Sequence, residues 1–282
     1  MKDWAYLTTV EEMEQATNSL LENGSKVGAD SWQQRVKNQT PHCGFGESGT
    51  CCRICSMGPC RITKKAPRGI CGCDVHGIVG RNYLRFTAGG SATHSDHGRQ
   101  ICHTLYQAKE GGSYQVKDPE KLKKIAAEWG IETEGKDIYD LAHEVADTAL
   151  MEYGKPFGNC RFLSRAPEHT RKLWHDAGIE PRAIDREVSQ SLHMTHMGCS
   201  SLPESLIRHS LRSGLSDGWG GSMMGTEFSD VMFGTPKPID TTANIGVMEK
   251  DNVNIVVHGH DPSLSDCLLY TSPSPRDMRR SR

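Results

Sequence analysis

The sequence predicts a mainly α-helical domain followed by the first strand of a Rossmann-like α/β domain. Three observations carry this expectation. Residues 137–153 put Ile138, Leu141, Ala142, Val145, Ala146, Ala149 and Leu150 on one helical face, with Gly154 as a stop. Helix-start signals recur upstream and downstream of that stripe, most clearly at Asp118-Pro119-Glu120 and at Pro203. The pattern then changes at Asn252-Val-Asn-Ile-Val-Val-His-Gly-His260, a β-branched run entering a glycine turn.

Taken in order, residues 9–22 read as a helix with Thr9 as cap and Gly24 as stop. A glycine-rich cysteine loop occupies about residues 41–73, and a second helix is expected over 92–106. Residues 113–116 read as linker. A third helix starts at the Asp118 cap with Pro119 at its first position and runs to Trp129. The 137–153 stripe reads as a core-facing helix, and a further helix fits 203–213.

These elements give an expected helical domain over 1–245 and the start of a truncated α/β domain over 246–266. Only 25 residues follow Val257, too few for the further βα units that a parallel sheet needs. From Cys267 the chain carries two prolines and four arginines where an apolar helix face belongs, and Leu268 to Asp277 resembles translated sequencing-adapter sequence. Residues 267–282 are therefore set aside as a non-native tail.

Composition narrows the function. Hydrophobic residues at 36% and charged residues at 24% are those of a soluble globular protein, and 29 glycines imply much loop. A net charge of -2 with no basic block argues against nucleic acid as a partner. No apolar run approaches the roughly 18 to 20 residues of a membrane helix, and the first residues contain no apolar signal core. The expected location is the cytoplasm, with no membrane insertion. In that reducing compartment the 11 cysteines read as thiols and metal ligands rather than disulfides.

Six of them, Cys43, Cys51, Cys52, Cys55, Cys60 and Cys71, fall within 29 residues. The spacing Cys52-x2-Cys55-x4-Cys60-x10-Cys71 gives four thiols, the first two placed to reach one metal from a single turn. Iron in a cubane cluster and zinc both accept four thiolates, so the spacing leaves both open. Gly58-Pro59 and Gly69 add tight turns and backbone amides that can point at sulfide. Cys43 and Cys51 remain as a pair, too few for a four-thiolate centre in one subunit. A two-fold axis would bring two such pairs together in a homodimer. A redox-inert pair of buried thiols is the alternative.

The run His42-Cys-Gly-Phe-Gly-Glu-Ser-Gly-Thr-Cys-Cys-Arg-Ile-Cys-Ser-Met-Gly-Pro-Cys-Arg-Ile62, with Gly69-Ile-Cys-Gly72, resembles the anaerobic nickel–iron carbon monoxide dehydrogenases. The resemblance continues in the same order through Ala92-Thr-His-Ser-Asp-His-Gly-Arg99, Ser216-Asp-Gly-Trp-Gly-Gly-Ser222, Phe233-Gly-Thr-Pro-Lys-Pro238 and Val257-His-Gly-His-Asp-Pro262. It covers about residues 40–266.

That resemblance implies an α/β protein overall in the full-length family, with CO + H2O interconverted with CO2, two protons and two electrons. By the same resemblance Cys52, Cys55, Cys60 and Cys71 hold a 4Fe-4S cluster within the subunit, and Cys43 and Cys51 share another across the dimer. The full-length family carries a nickel–iron–sulfur cluster; His260, ahead of His258, matches its histidine ligand. Its cysteine ligands lie beyond residue 266, so this fragment alone is expected to be inactive. Implied partners are a ferredoxin-like electron acceptor and an acetyl-CoA synthase subunit. Cys73, Cys102, Cys160 and Cys199 match no ligand position.

For protons, His94 and His97 lie three apart, and His103 continues the spacing with Gln100 between, a pattern in which one helix face carries a line of imidazoles. Gln100 interrupts it, because an amide cannot release a proton. The resemblance makes His94 an acid or base near the catalytic cluster and Asp217 a candidate beside it; Asp217 before glycine otherwise reads as a turn residue. Two other functions fit the cysteines: a non-catalytic iron–sulfur electron-transfer or assembly module, and a hybrid-cluster relative reducing hydroxylamine.

Overall fold

The computed structural model describes residues 10–236, which are mainly helical. The expected strand at 252–257 and its histidines lie outside the described residues, as does the expected boundary at 245. The chain divides into two compact units, Met1–Cys51 and Cys52–Arg282.

The first unit holds α1 (Val10–Lys26), α2 (Trp32–Asn38) and the single turn α3 (Gly44–Glu47). α1 runs on through Gly24, where a stop was expected. The cost of one glycine inside a helix, about 1 kcal/mol, is outweighed by its neighbours, and the chain turns at Gly28 with φ 75° instead. Ser31 caps α2 by accepting from the Gln34 amide at 3.2 Å.

The second unit is built round α4 (Val75–Tyr106), a helix of 32 residues. The expected helix over 92–106 is its second half. Gly77, Gly80, Gly89 and Gly90 make the first half look like loop, yet Gly77 and Gly80 are places of close approach. A Cβ on Gly77 would lie 2.5 Å from Cys73 Sγ, and one on Gly80 would lie 3.3 Å from Leu206. The buried stripe of α4 runs Ile78, Arg81, Leu84, Ala88, Ser91, Ser95, Gly98, Cys102 and Leu105, spaced three or four apart.

The next helices, α5 (Pro119–Glu128) and α6 (Ile138–Glu152), match expectation, with Asp118 capping the first and Leu141, Ala142, Val145, Ala146 and Ala149 buried on the second. The sequence reading missed α7 (Glu168–Asp176) and α8 (Ile184–Thr195), which lack clear caps. From Pro203 the chain stays helical to Phe233: α9 (Pro203–Ser216), a π turn (Asp217–Ser222) and α10 (Met223–Phe233). Against α4 pack α6, α8, α9, α10 and the π turn.

The core centres on Cys102 and Leu105 of α4, Leu122 and Ile125 of α5, Val145 of α6 and Phe228 of α10. Trp129 closes it, edge-on to Phe228 at 6.0 Å between ring centres. A second, polar layer joins α8 and α9. Glu187 is fully buried there and is gripped by Arg182 through two bonds of 2.7 Å. The strands β1 (Cys51–Cys52) and β2 (Cys60–Arg61) form a two-stranded sheet ahead of α4.

Candidate metal centre

Residues 52–73 turn back on themselves because glycines allow it. A Cβ on Gly58 would stand 3.0 Å from the Cys60 amide nitrogen and 3.2 Å from the Cys52 oxygen; on Gly69 it would stand 3.4 Å from Cys60 Sγ. Bonds from the Gly69 amide to the Cys73 carbonyl and from the Gly72 amide to the Gly69 carbonyl, both 2.8 Å, close the end of the loop. Asp74 then caps α4 by accepting from the Gly77 amide at 2.8 Å.

This folding brings Cys52, Cys55, Cys60 and Cys71 to the wall of one cavity, completed by Ile54, Ile78, Arg81 and Met197. The Ile70 amide donates to Cys60 Sγ at 3.4 Å. Arg81, buried on α4, donates from Nη1 to Cys71 Sγ at 3.5 Å and from Nε to the Ser200 carbonyl at 2.5 Å. The donated amide of Cys73 holds the Cys71 thiol below its ordinary pKa, helped by Arg81 and by the Gly198 amide.

Cys73 also touches the cavity, but its character is opposite. Burial raises its pKa, and its sulfur is pressed against Gly77. Its sulfur is therefore harder to ionise than that of Cys71, and thiolate is the form that binds metal. Cys102 and Cys160 are buried, with pKa pushed up to about 12 by desolvation. Cys199 is exposed.

Among the described residues no three cysteine, histidine or carboxylate groups converge on one point as a single ion requires. Four thiols round one cavity are the number that a cubane takes, one thiolate to each iron. The loop's amides, its small residues and the buried guanidinium suit the same anionic, sulfide-rich group. Cys43, exposed, precedes α3, and Cys51, half-buried, opens β1; both belong to the first unit.

Some 20 residues further along the sequence, α4 meets the π turn. His94 Nδ1 and Asp217 Oδ1 are 2.6 Å apart. The crossing is tight: a Cβ on Gly221 would lie 2.6 Å from the His94 carbonyl oxygen, and one on Gly98 2.5 Å from the Gly221 oxygen. Ser95 and Arg99 both bond Asp185, at 2.7 and 2.6 Å, which fixes the rotation of α4 beside the histidine. Asp217 is thus part of a continuous helix, and the turn expected from Asp-Gly is replaced by a π turn that brings its carboxylate to His94.

The row of imidazoles does not form. Steps of three residues rotate by about -60° on a helix of 3.6 residues per turn, so His103 ends opposite His94. His94 and His97 are half-buried while Gln100 and His103 are exposed, with Gln100 bonded to Asp96 at 2.9 Å. Sequence reading missed Arg81 and Met197. A charged residue on the stripe of Ile78, Leu84 and Ala88 was the available signal for Arg81; Met197 offered none.

A helical scaffold carrying a cavity walled by loop cysteines defines a metalloprotein of the thiolate class. The chain belongs to the Prismane/CO dehydrogenase family, whose model matches residues 50–276. It is 44% identical to carbon monoxide dehydrogenase 1 of Methanosarcina mazei over 98% of this chain and 44% of that protein. An as-isolated, Ni-free carbon monoxide dehydrogenase from Thermococcus sp. AM4, produced without its maturase, superposes with a TM-score of 0.82 at 45% identity. That match covers 92% of this chain and 42% of the other. A solved structure of acetyl-CoA synthase/carbon monoxide dehydrogenase, described as holding NiZn[Fe4S4] and NiNi[Fe4S4] clusters in its alpha subunits, matches at TM-score 0.79 and 35% identity. It is covered over 92% of this chain and 39% of its own. The chain therefore spans less than half the length of these relatives. Among the described residues no helix is long and apolar enough to cross a membrane.

Proposed function

We propose that this chain is the N-terminal part of a nickel-dependent carbon monoxide dehydrogenase interconverting CO + H2O with CO2, two protons and two electrons. The observation that carries the reading is the single cavity walled by Cys52, Cys55, Cys60 and Cys71 in a chain of this family. Those four thiolates would hold a 4Fe-4S cluster, which supplies one-electron transfer when bound. Arg81 and the Ile70 amide orient two of the sulfurs, and Met197 and Ile54 add apolar surface at the cavity wall.

At the α4 crossing, Asp217 accepts the Nδ1 proton of His94 and so leaves the Nε2 lone pair to take or return a proton. His97, one turn on, stands with its Nδ1 about 3.5 Å from a Cβ position on Gly225, close to the same crossing. Cys43 and Cys51 supply two thiolates to a second cluster shared in a homodimer, and His260 supplies an imidazole to the nickel centre. Electrons pass to a ferredoxin-like acceptor in the cytoplasm, and an acetyl-CoA synthase subunit is a further partner.

The test is CO-dependent viologen reduction by the full-length protein, produced anaerobically with nickel. Activity is expected. Hydroxylamine reduction without CO oxidation would favour the hybrid-cluster relative, and loaded clusters with neither activity would leave an electron-transfer module.

A further inference from the structure

We infer that Arg81 is a positioning residue that raises the reduction potential of the cluster held by Cys52, Cys55, Cys60 and Cys71; the inference rests on that assignment of the cavity. Among the described residues Arg81 is the one lysine or arginine in the buried class, with 2% of its surface exposed. Its guanidinium reaches two things at once. Nη1 donates to Cys71 Sγ at 3.5 Å, and Nε donates to the Ser200 carbonyl at 2.5 Å.

Burying a guanidinium is costly without an anionic partner. A cubane with four thiolates carries net negative charge and supplies that partner beside Cys71. Reduction adds one electron to the cluster with no bond made or broken, so the extra negative charge forms next to a fixed, buried cation. The reduced state gains more than the oxidised state, and the potential rises.

The bond to Ser200 adds a second effect. It ties the segment between α8 and α9 to α4, and this segment brings Met197 to the cavity wall and the Gly198 amide to the Cys71 sulfur. Arg81 therefore places a charge at the Cys71 sulfur and anchors the segment that brings Met197 and the Gly198 amide to it. Polarity and solvent access are the protein's means of setting a cluster potential.

The test is an EPR-monitored redox titration of the anaerobically purified protein with dithionite as reductant, after an iron count. Arg81→Met is expected to keep its iron and to make reduction at least tenfold less favourable, a shift of about 59 mV to lower potential for one electron. Arg81→Lys is expected to recover part of the shift. An unchanged midpoint in Arg81→Met with iron retained overturns the inference. Should that variant fail to fold, Arg81→Gln keeps a donor without the charge, and a midpoint equal to the parent's overturns it equally. A parent protein that binds no iron at this loop overturns the cluster assignment itself, and the iron count reads that outcome first.

Discussion

His94 Nδ1 lies 2.6 Å from Asp217 Oδ1, so a residue on α4 and one on the π turn, 123 positions apart, act as one hydrogen-bonded unit. Both are partly open to solvent, with side-chain exposures of 39% and 27%. Such exposure leaves the pair within reach of solvent.

Asp217→Asn removes the carboxylate and lets His94 adopt the other tautomer. In the full-length enzyme kcat for CO oxidation is expected to fall about 100-fold, with a changed pH profile and unchanged iron and nickel. Steady-state kinetics across pH with metal analysis checks this, and an unaltered profile would count against the pair as a proton site.

Gly98→Ala places a methyl group 2.5 Å from the Gly221 oxygen and 2.6 Å from the Tyr153 hydroxyl. The helices must separate, at an expected cost of about 1–3 kcal/mol. Gly89→Ala, where nothing lies within 4 Å, is expected to be neutral or stabilising. Thermal unfolding of the two variants distinguishes close packing from glycine as a mere helix weakness.

His209 is buried, and desolvation lowers its pKa below the usual value of 6.5. Its Nε2 donates to the Glu187 carbonyl at 3.1 Å. The unfolded chain takes a proton more readily, so this contribution to stability is complete above about pH 6.5 and is lost as pH falls through the lowered folded value. His209→Gln is expected to flatten that acid-side loss in melting curves collected across pH. A slope identical to the parent's would assign the loss to other groups.

If each subunit gives two of four ligands to a shared cluster, Cys43→Ser combined with Cys51→Ser is expected to lower iron by half a cluster per chain and to weaken the dimer. Loss of a whole cluster per chain would contradict sharing. Iron analysis alongside sedimentation measures both.

How much was legible in the sequence depended on whether the signal was local. The α5 start at Asp118-Pro119 and the stripe of α6 follow from neighbours in the chain, and both were found. The four cysteines at the cavity were also readable, because their spacing is short and their residue type is specific. The first half of α4 was missed because Gly77 and Gly80 count as helix breakers when their partners are invisible. Gly77 meets Ser201 and Gly80 meets Leu206, more than 120 positions away. Asp217 shows the same limit: Asp-Gly reads as a turn, yet packing of Gly221 on the α4 backbone favours an unbroken helix with one widened turn. The hydrogen-bond partners of Arg81, Cys71 and Ser200, are known only once the segment between α8 and α9 is seen beside α4.

The most direct measurement is the iron and acid-labile sulfide content per chain, with EPR of the reduced protein, for the parent, Cys60→Ser and Cys199→Ser purified anaerobically. Cys60→Ser is expected to lose about four irons per chain together with the signal of a four-thiolate cubane, and Cys199→Ser to match the parent. Stoichiometric zinc in the parent, or iron unchanged by Cys60→Ser, would contradict the cluster assignment.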